Sequence, residues 1–450
     1  MLLLQDRIPH MATFEDLPVE LVDEVLSYLE LHRPELQAMA STSRGFNHRT
    51  RKFLFRHADN LSGNQHPLFW AALEISRELS SLVHTYGPVA IDPRGLISLV
   101  NYKVLPVLTA LKRLQVRLGS SNDLRSCTHD IFASGLLERV ESIHFIGSEA
   151  MTEGLPTSLL QGFMSQPKLR TLTVSQIRNS NNTDTTHDTL LTQSKVTTLE
   201  FFGRANTVLS YPRPEQGLRF REHFSSNCLQ YYLALCPNLK TLRCVDLKPN
   251  FGTNHRGGRT HNPCHSAFSR RYMERVLNTV ADTLEELTYL ITNDISVWAY
   301  GKPINFSRLV RLRSLKIAAI LLRPKDHSFV AIGDICKLLP PNLEKLQLTF
   351  SNVYGVFHNA NCDPLLRKDD HVPAERYAWI FHLANGKRTT LHGLKTITLI
   401  DAAPLSDHIM ERWIPPRDVV EMYEEVDIHL NVLLCIHLAQ EPIWKKPVIA

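Results

Sequence analysis

Leu312-Arg-Ser-Leu-Lys-Ile317 and Leu343-Glu-Lys-Leu-Gln-Leu348 share one pattern: apolar residues at the first, fourth and sixth positions. Working outward from this pair, the pattern occurs nine times, starting at 111, 140, 169, 196, 239, 284, 312, 343 and 394. The steps between starts are 29, 29, 27, 43, 45, 28, 31 and 51 residues. A short strand alternates faces, so the fourth and sixth positions of each hexad point to one side. The residues between them point to the other. One such strand cannot bury its apolar face alone, so recurrence implies units that stack on their neighbours.

The segments between hexads fit helices. Leu229, Leu233 and Cys236 are spaced i, i+4, i+7, Met273, Leu277 and Val280 repeat that spacing, and Ile332, Ile335 and Leu338–Leu339 approximate it. Pro167, Pro237 and Pro340–Pro341 stand just before hexads, where a residue without an N–H stops a helix. The predicted fold class is therefore α/β: a curved stack with strands on a concave face and helices on a convex one. The steps of 43, 45 and 51 cover residues 202–238, 245–283 and 349–393, each holding a degenerate repeat or a projecting loop. Turn-rich Tyr211–Gly217 and Asn254–Pro263 favour loops for part of each. Over about Leu105 to Ala402 the chain resembles leucine-rich-repeat proteins, without the asparagine ladder of their more regular members.

The chain has 450 residues, 43% hydrophobic and 21% charged, which supports a real core and excludes wholesale disorder. Fifty Lys and Arg against 45 Asp and Glu leave +5, too mild for a protein devoted to binding phosphate polymers. Eight cysteines without a CxxC pair argue against a disulfide framework and for reduced thiols. The three N-terminal leucines run at once into Asp6 and Arg7, so no signal peptide is read. No apolar run approaches the length that spans a bilayer. The expectation is a soluble cytoplasmic or nuclear protein, not a membrane one.

Before the hexads stands Phe14-Glu-Asp-Leu-Pro-Val-Glu-Leu-Val-Asp-Glu-Val-Leu-Ser-Tyr-Leu29. Pro18 suits a first helical turn, and Leu21, Val25 and Leu29 form a stripe that Val22 and Leu26 widen. A second short helix, Pro34–Ala40, and a basic, aromatic third segment, Asn47–His57, follow. This region resembles an F-box. Leu17-Pro18, Glu20-Leu21, Val25-Leu26 and Tyr28-Leu29 match its opening, Leu36, Met39 and Ala40 its middle, and Thr42-Ser43-Arg44 with Phe46 its close, as in fungal members. Ser43 and Phe46 stand where many members carry Cys and Trp. The resemblance implies binding to the Skp-type adaptor of an SCF ubiquitin ligase, and through it to a cullin scaffold. Leu17, Pro18, Glu20, Leu21, Val25, Leu26, Leu29 and Phe46 would make or support that contact. A plain helical cap for the stack is the alternative.

The domain reading is a tail over 1–11, the F-box over 12–57, a helical linker over 58–104, the repeat stack over 105–402 and a helical cap over 403–450. In the cap, Val419, Tyr423, Val426, Leu430 and Leu433 suggest one helix closing the stack, or a short coiled-coil seam.

Outward hexad positions include Arg113, Gln115, Arg117, His144, Thr173, Glu200, Arg243, Glu286, Lys316, Lys345, Gln347 and Thr398, with cations outnumbering anions. Arg113, Arg117, His144, Arg243, Lys316 and Lys345 are a candidate site for an acidic or phosphorylated segment of a target protein. The plainer reading is that they keep an exposed sheet soluble. His255, His261, Cys264 and His265 match no recurrent zinc spacing, and the chain is read as binding no metal or cofactor. Arg256, Arg259, Arg270 and Arg271 form one RGG-like stretch without flanking aromatics, so nucleic acid is not the expected partner. No P-loop, GxGxxG or GxSxG occurs, and no intrinsic catalysis is expected. An F-box and repeats together imply a substrate-recognition subunit. A non-ligase scaffold is the alternative.

Overall fold

The computed structural model describes residues 17–30, 32–58, 61, 65–91, 108–118, 136–147, 157–175, 193–203, 226–245, 270–290, 302–322, 335–350, 355–357, 374–401 and 408–437. Every apolar position of the nine hexads is buried, from Leu111, Leu114 and Val116 to Leu394, Ile397 and Leu399. Each hexad builds one strand: β3 (Arg113–Leu118), β4 (Ser142–Gly147), β5 (Thr171–Ser175), β6 (Thr198–Phe202), β7 (Thr241–Val245), β8 (Glu286–Leu290), β9 (Ser314–Ala318), β10 (Lys345–Phe350) and β11 (Thr396–Asp401). They lie side by side in chain order, all parallel. Leu114 lies beside Ile143, Ile143 beside Leu172, Leu172 beside Leu199 and Leu199 beside Leu242. This register is enforced because a slip of one residue would turn every apolar side chain outward.

Among the described residues the long steps contribute no strand to the sheet. β6 pairs directly with β7, β7 with β8 and β10 with β11. Helices α6 (Thr157–Met164), α7 (Ser226–Leu235), α8 (Arg270–Leu277), α9 (Ile335–Leu338) and α10 (Ala374–Thr389) fall between strands. The first two predicted stripes are buried as read, with Leu229 and Leu233 in α7, Cys236 just past its end and Met273 and Leu277 in α8. Of the third, Ile335 and Leu339 are buried, Leu338 is half-buried and Ile332 lies outside the described residues. Between β8 and β9 the described residues hold no helix. Ile304, Phe306 and Leu309 fill the core there from irregular backbone.

Among the described residues the sheet has 13 strands and extends beyond the nine hexads at both ends. At the first end, β1 (His57–Ala58) pairs with β2 (Thr85–Ile91), and β2 with β3. The stack thus starts at residue 57, not 105, and the expected helical linker over 58–104 holds a strand besides α4 (Gln65–Ile75) and α5 (Arg77–Ser80). A register shift between Tyr86 and Val89 spoils the hexad spacing and hides this strand from a pattern search. Gly87 sits in the shift at φ 145°, where a Cβ would stand 2.5 Å from that of Gln115.

At the other end the expected helical cap over 403–450 is corrected. The helix α11 spans only Arg417–Glu425, burying Val419 and Tyr423. Asp427 then adopts φ 52°, and β13 (His429–His437) pairs in parallel with β11. Leu430 and Leu433 are strand residues, so there is no single stripe and no coiled-coil seam along 419–433. Asp427 precedes the strand where the other hexads carry their leading apolar residue, which conceals a tenth unit. A hairpin partner, β12 (His408–Arg412), runs antiparallel to β13 at the sheet edge.

At the N-terminal end three helices, α1 (Val19–Tyr28), α2 (Arg33–Thr42) and α3 (Arg44–Arg56), enclose a small separate core of Val22, Leu26, Leu36 and Phe53. The Ser43 hydroxyl caps α3, accepting from the Phe46 N–H at 3.2 Å. α3 continues directly into β1. Its Phe53 belongs to the small core, while Phe55 packs on the large one and stacks 5.6 Å from Phe69. Glu30 closes the joint, its Oε1 3.0 Å from Arg56 Nη1 and 3.1 Å from His57 Nε2. No helix among the described residues is long and apolar enough to cross a membrane.

Candidate functional site

Two surfaces carry the sequence-predicted residues. The first is on α1. Pro18 stands at its start, and its carbonyl accepts from Leu21 N and Val22 N, both at 3.1 Å. The apolar residues of α1 divide into two stripes. Val22 and Leu26 face inward and are fully buried. Leu21, Val25 and Tyr28 follow i, i+4, i+7 on the outside, at 47%, 37% and 75% exposure, with Leu17 and Val19 also exposed ahead of them. Pro18 and Glu20 are exposed too.

Of the residues predicted to bind an adaptor, Leu17, Pro18, Glu20, Leu21 and Val25 therefore present themselves to solvent. Leu26 does not: it fills the small core, and Leu29 and Phe46 pack half-buried against it. These three support the outer stripe from behind. Tyr28 is the exposed member the sequence reading left out. A helix apolar on two sides does not declare which side has a partner within its own chain.

The second surface is the open face of the sheet, opposite the buried hexad positions. Its middle row runs Gln115, His144, Thr173, Glu200, Arg243, Thr288, Lys316, Gln347, Thr398 and Asn431, each beside the next. The predicted residues differ sharply in what they can offer. Arg243 is engaged: its Nη1 lies 3.0 Å from Glu200 and its Nη2 4.0 Å from Glu286. Glu200 also accepts from the Thr173 hydroxyl at 2.9 Å. His144 Nε2 sits 2.8 Å from the Ser175 hydroxyl, and burial pushes its pKa below the ordinary 6.5, with Glu200 opposing. An imidazole so placed is neutral at neutral pH. The expected run of cations is thus broken in the centre, where two carboxylates face one guanidinium. Arg113 and Arg117 on β3, and Lys316 and Lys345 on β9 and β10, are exposed.

The row nearest the strand C-termini was not anticipated. Arg117, Ile146, Ser175, Phe202, Val245 and Leu290 lie in order across β3 to β8, and the apolar ones are only half-buried. The open face therefore grades from polar to apolar along its strands.

His255, His261, Cys264 and His265, with Arg256 and Arg259, lie outside the described residues. Arg270 is described and is not part of an exposed basic loop. It is 3% exposed at the start of α8, and its Nη2 donates to Ile320 O at 2.6 Å. Among the described residues no group of His, Cys, Asp and Glu is arranged to hold a metal ion. The chain matches no family model, and a search of curated proteins returns no significant match.

Proposed function

We propose that this chain is a non-catalytic substrate-recognition subunit of an SCF ubiquitin ligase, working in the cytoplasm or nucleus without a cofactor. In this reading α1–α3 form an F-box that docks on a Skp-type adaptor and through it on a cullin. The sheet is a leucine-rich-repeat solenoid whose open face receives a target protein for ubiquitination. The observation that supports this is the outer stripe Leu17, Leu21, Val25 and Tyr28. It is apolar and exposed, although the inner face of the same helix already satisfies the small core. Covering such side chains contributes about 1.5–3 kcal/mol for each one fully buried, so the stripe suits a partner better than water. Continuity of α3 into β1 would hold the two binding surfaces in one fixed relation.

The test is affinity purification of the full chain beside Leu21→Asp/Val25→Asp. Both side chains are exposed, so the variant should melt like the wild type while losing the adaptor. Equal recovery of adaptor with both would refute the proposed interface. A scaffold role without ligase activity is separated by target ubiquitination, which must depend on the chain if the ligase reading holds.

A further inference from the structure

The charged groups of the open face are unevenly spent. In the centre, Arg243 is shared between Glu200 and Glu286, leaving no cation there for an incoming anion. Toward the C-terminal end, Lys316 and Lys345 are exposed on adjacent strands, two positions apart in register. Beside them, at the rim where these strands begin, opens a cleft of about 540 Å³. That size is ordinary for a site that encloses a few side chains. Arg311, Arg313 and Lys395 line it, facing Glu285 and Glu344.

The two carboxylates offset this positive field only in part. Glu285 is drawn 3.0 Å from Lys240, which does not line the cleft. Glu344 lies 3.1 Å from Lys395 and 3.5 Å from Arg313. Lys395 first, then Arg313 and Lys345, hold its carboxyl below the ordinary 4.5. Three cations, Arg311, Arg313 and Lys395, thus line the cleft with two carboxylates, one of them turned to Lys240, and Lys345 and Lys316 on the adjoining strands add to the surplus of positive charge.

We infer that the β9–β11 end of the open face, together with its rim cleft, is an anion-reading site that takes an acidic or phosphorylated peptide segment. The inference rests on the proposal that the sheet receives a target, and narrows it to one end. A peptide fits better than a nucleic acid. No aromatic side chain lines the cleft for bases to stack on, and interleaved carboxylates suit discrete anions rather than a continuous phosphate backbone. Arginine forks onto carboxylate or phosphate, and lysine adds a mobile point charge.

The experiment selects from randomised 12-residue peptides, with and without phosphoserine, on the immobilised full chain. Enriched peptides should carry Asp, Glu or phosphoserine. Binding of the best one should weaken by about tenfold or more in Lys316→Glu/Lys345→Glu, and by about threefold in Lys316→Gln/Lys345→Gln. Arg113→Glu/Arg117→Glu makes the same charge change six strands away, beyond a Debye length, and should leave the affinity within about twofold. Enrichment of neutral or basic peptides, or of none, overturns the inference. So does equal loss in the Arg113/Arg117 variant, or tighter binding of polyuridylate at the same lysines. Adaptor recovery is scored on the same preparations. Adaptor kept with peptide binding unaltered by the lysine changes defeats this inference alone, whereas adaptor lost only in the α1 variant bears on the F-box reading.

Discussion

Cys236 and Cys336 illustrate how a residue's surroundings change its chemistry. Both thiols are buried, and Cys336 Sγ donates to His382 O at 3.3 Å. Burial pushes Cys236 up to about 12 and Cys336 up to about 11, from an ordinary 9.0. A Cβ on Gly386 would collide with Cys336 Sγ, so the sulfur packs directly against the glycine backbone. Iodoacetamide at pH 8 should therefore leave both residues unmodified in the folded chain and label them in urea, as read by peptide mapping. Labelling of the folded chain at the rate of a free thiol would contradict this placement. The sign of the linked pH effect follows. In the unfolded chain these thiols ionise near pH 9, while in the folded chain they stay protonated, so their contribution is whole below pH 9 and is lost as the pH rises toward 11–12. The spacing of Cys236 in the helix pattern told of its burial. The sequence had no means of showing that Cys336 meets Gly386, fifty residues later in the chain.

At the scale of elements, α1 has two apolar faces with two different tasks. Leu26 is fully buried in a core of only four buried residues. Truncating it to Ala removes packing that little else can replace, and should cost about 2–5 kcal/mol of the helical unit's stability. Leu21→Ala on the opposite face should cost within about 0.5 kcal/mol. Chemical denaturation of the full chain followed by far-UV circular dichroism compares them, and equal costs would mean that the assigned faces are wrong. A second element-scale feature lies at the strand N-termini. There the rim residues alternate in sign: Lys112 with Glu141 at 3.8 Å, Lys240 with Glu285 at 3.0 Å, and Arg313 with Glu344 at 3.5 Å. Each exposed pair adds little stability because water screens it. Their backbone amides do more, with Glu141 N donating to Lys112 O and Glu344 N to Arg313 O, both at 2.8 Å. These rungs prolong each parallel pairing into the preceding turn.

For the molecule as a whole, the ends matter as much as the repeats. A stack of parallel strands leaves an open edge at each terminus, and an open edge invites pairing with another chain. At the C-terminal end β13 covers β11, and β12 folds back on β13. Trp413 ties this closure down, 4.7 Å from Phe357 and 6.3 Å from Tyr377. A chain cut after Ala402 loses all of this and uncovers the β11 edge. It should self-associate in sedimentation velocity and melt at a lower temperature than the whole chain. A monodisperse product with an unchanged melt would show that the closing strands are dispensable. At the N-terminal end the three-helix unit is joined through α3, whose Phe53 and Phe55 serve different cores. The small unit cannot turn relative to the sheet without unpacking one of them.

The sequence by itself determined the repeating α/β stack. The hexads bury every predicted apolar residue, because an alternating strand has one way to hide a leucine, an isoleucine and their neighbours at that spacing. It also determined that the N-terminal helix is richly apolar. What only the tertiary structure decided was the extent and the use of these parts. The bulge at Gly87 breaks the spacing and the left-handed Asp427 puts a polar residue at the leading position, so strands β2 and β13 became visible only through the neighbours that pair with them. The hexads put Arg243, Glu200 and Glu286 on one face, but only the tertiary structure brings the two carboxylates, from 43 residues before and after, to 3.0 and 4.0 Å from the guanidinium and so removes its charge from the cationic count. Burial and pairing are properties of neighbours in space. Periodicity reports only those that a residue has along its own element.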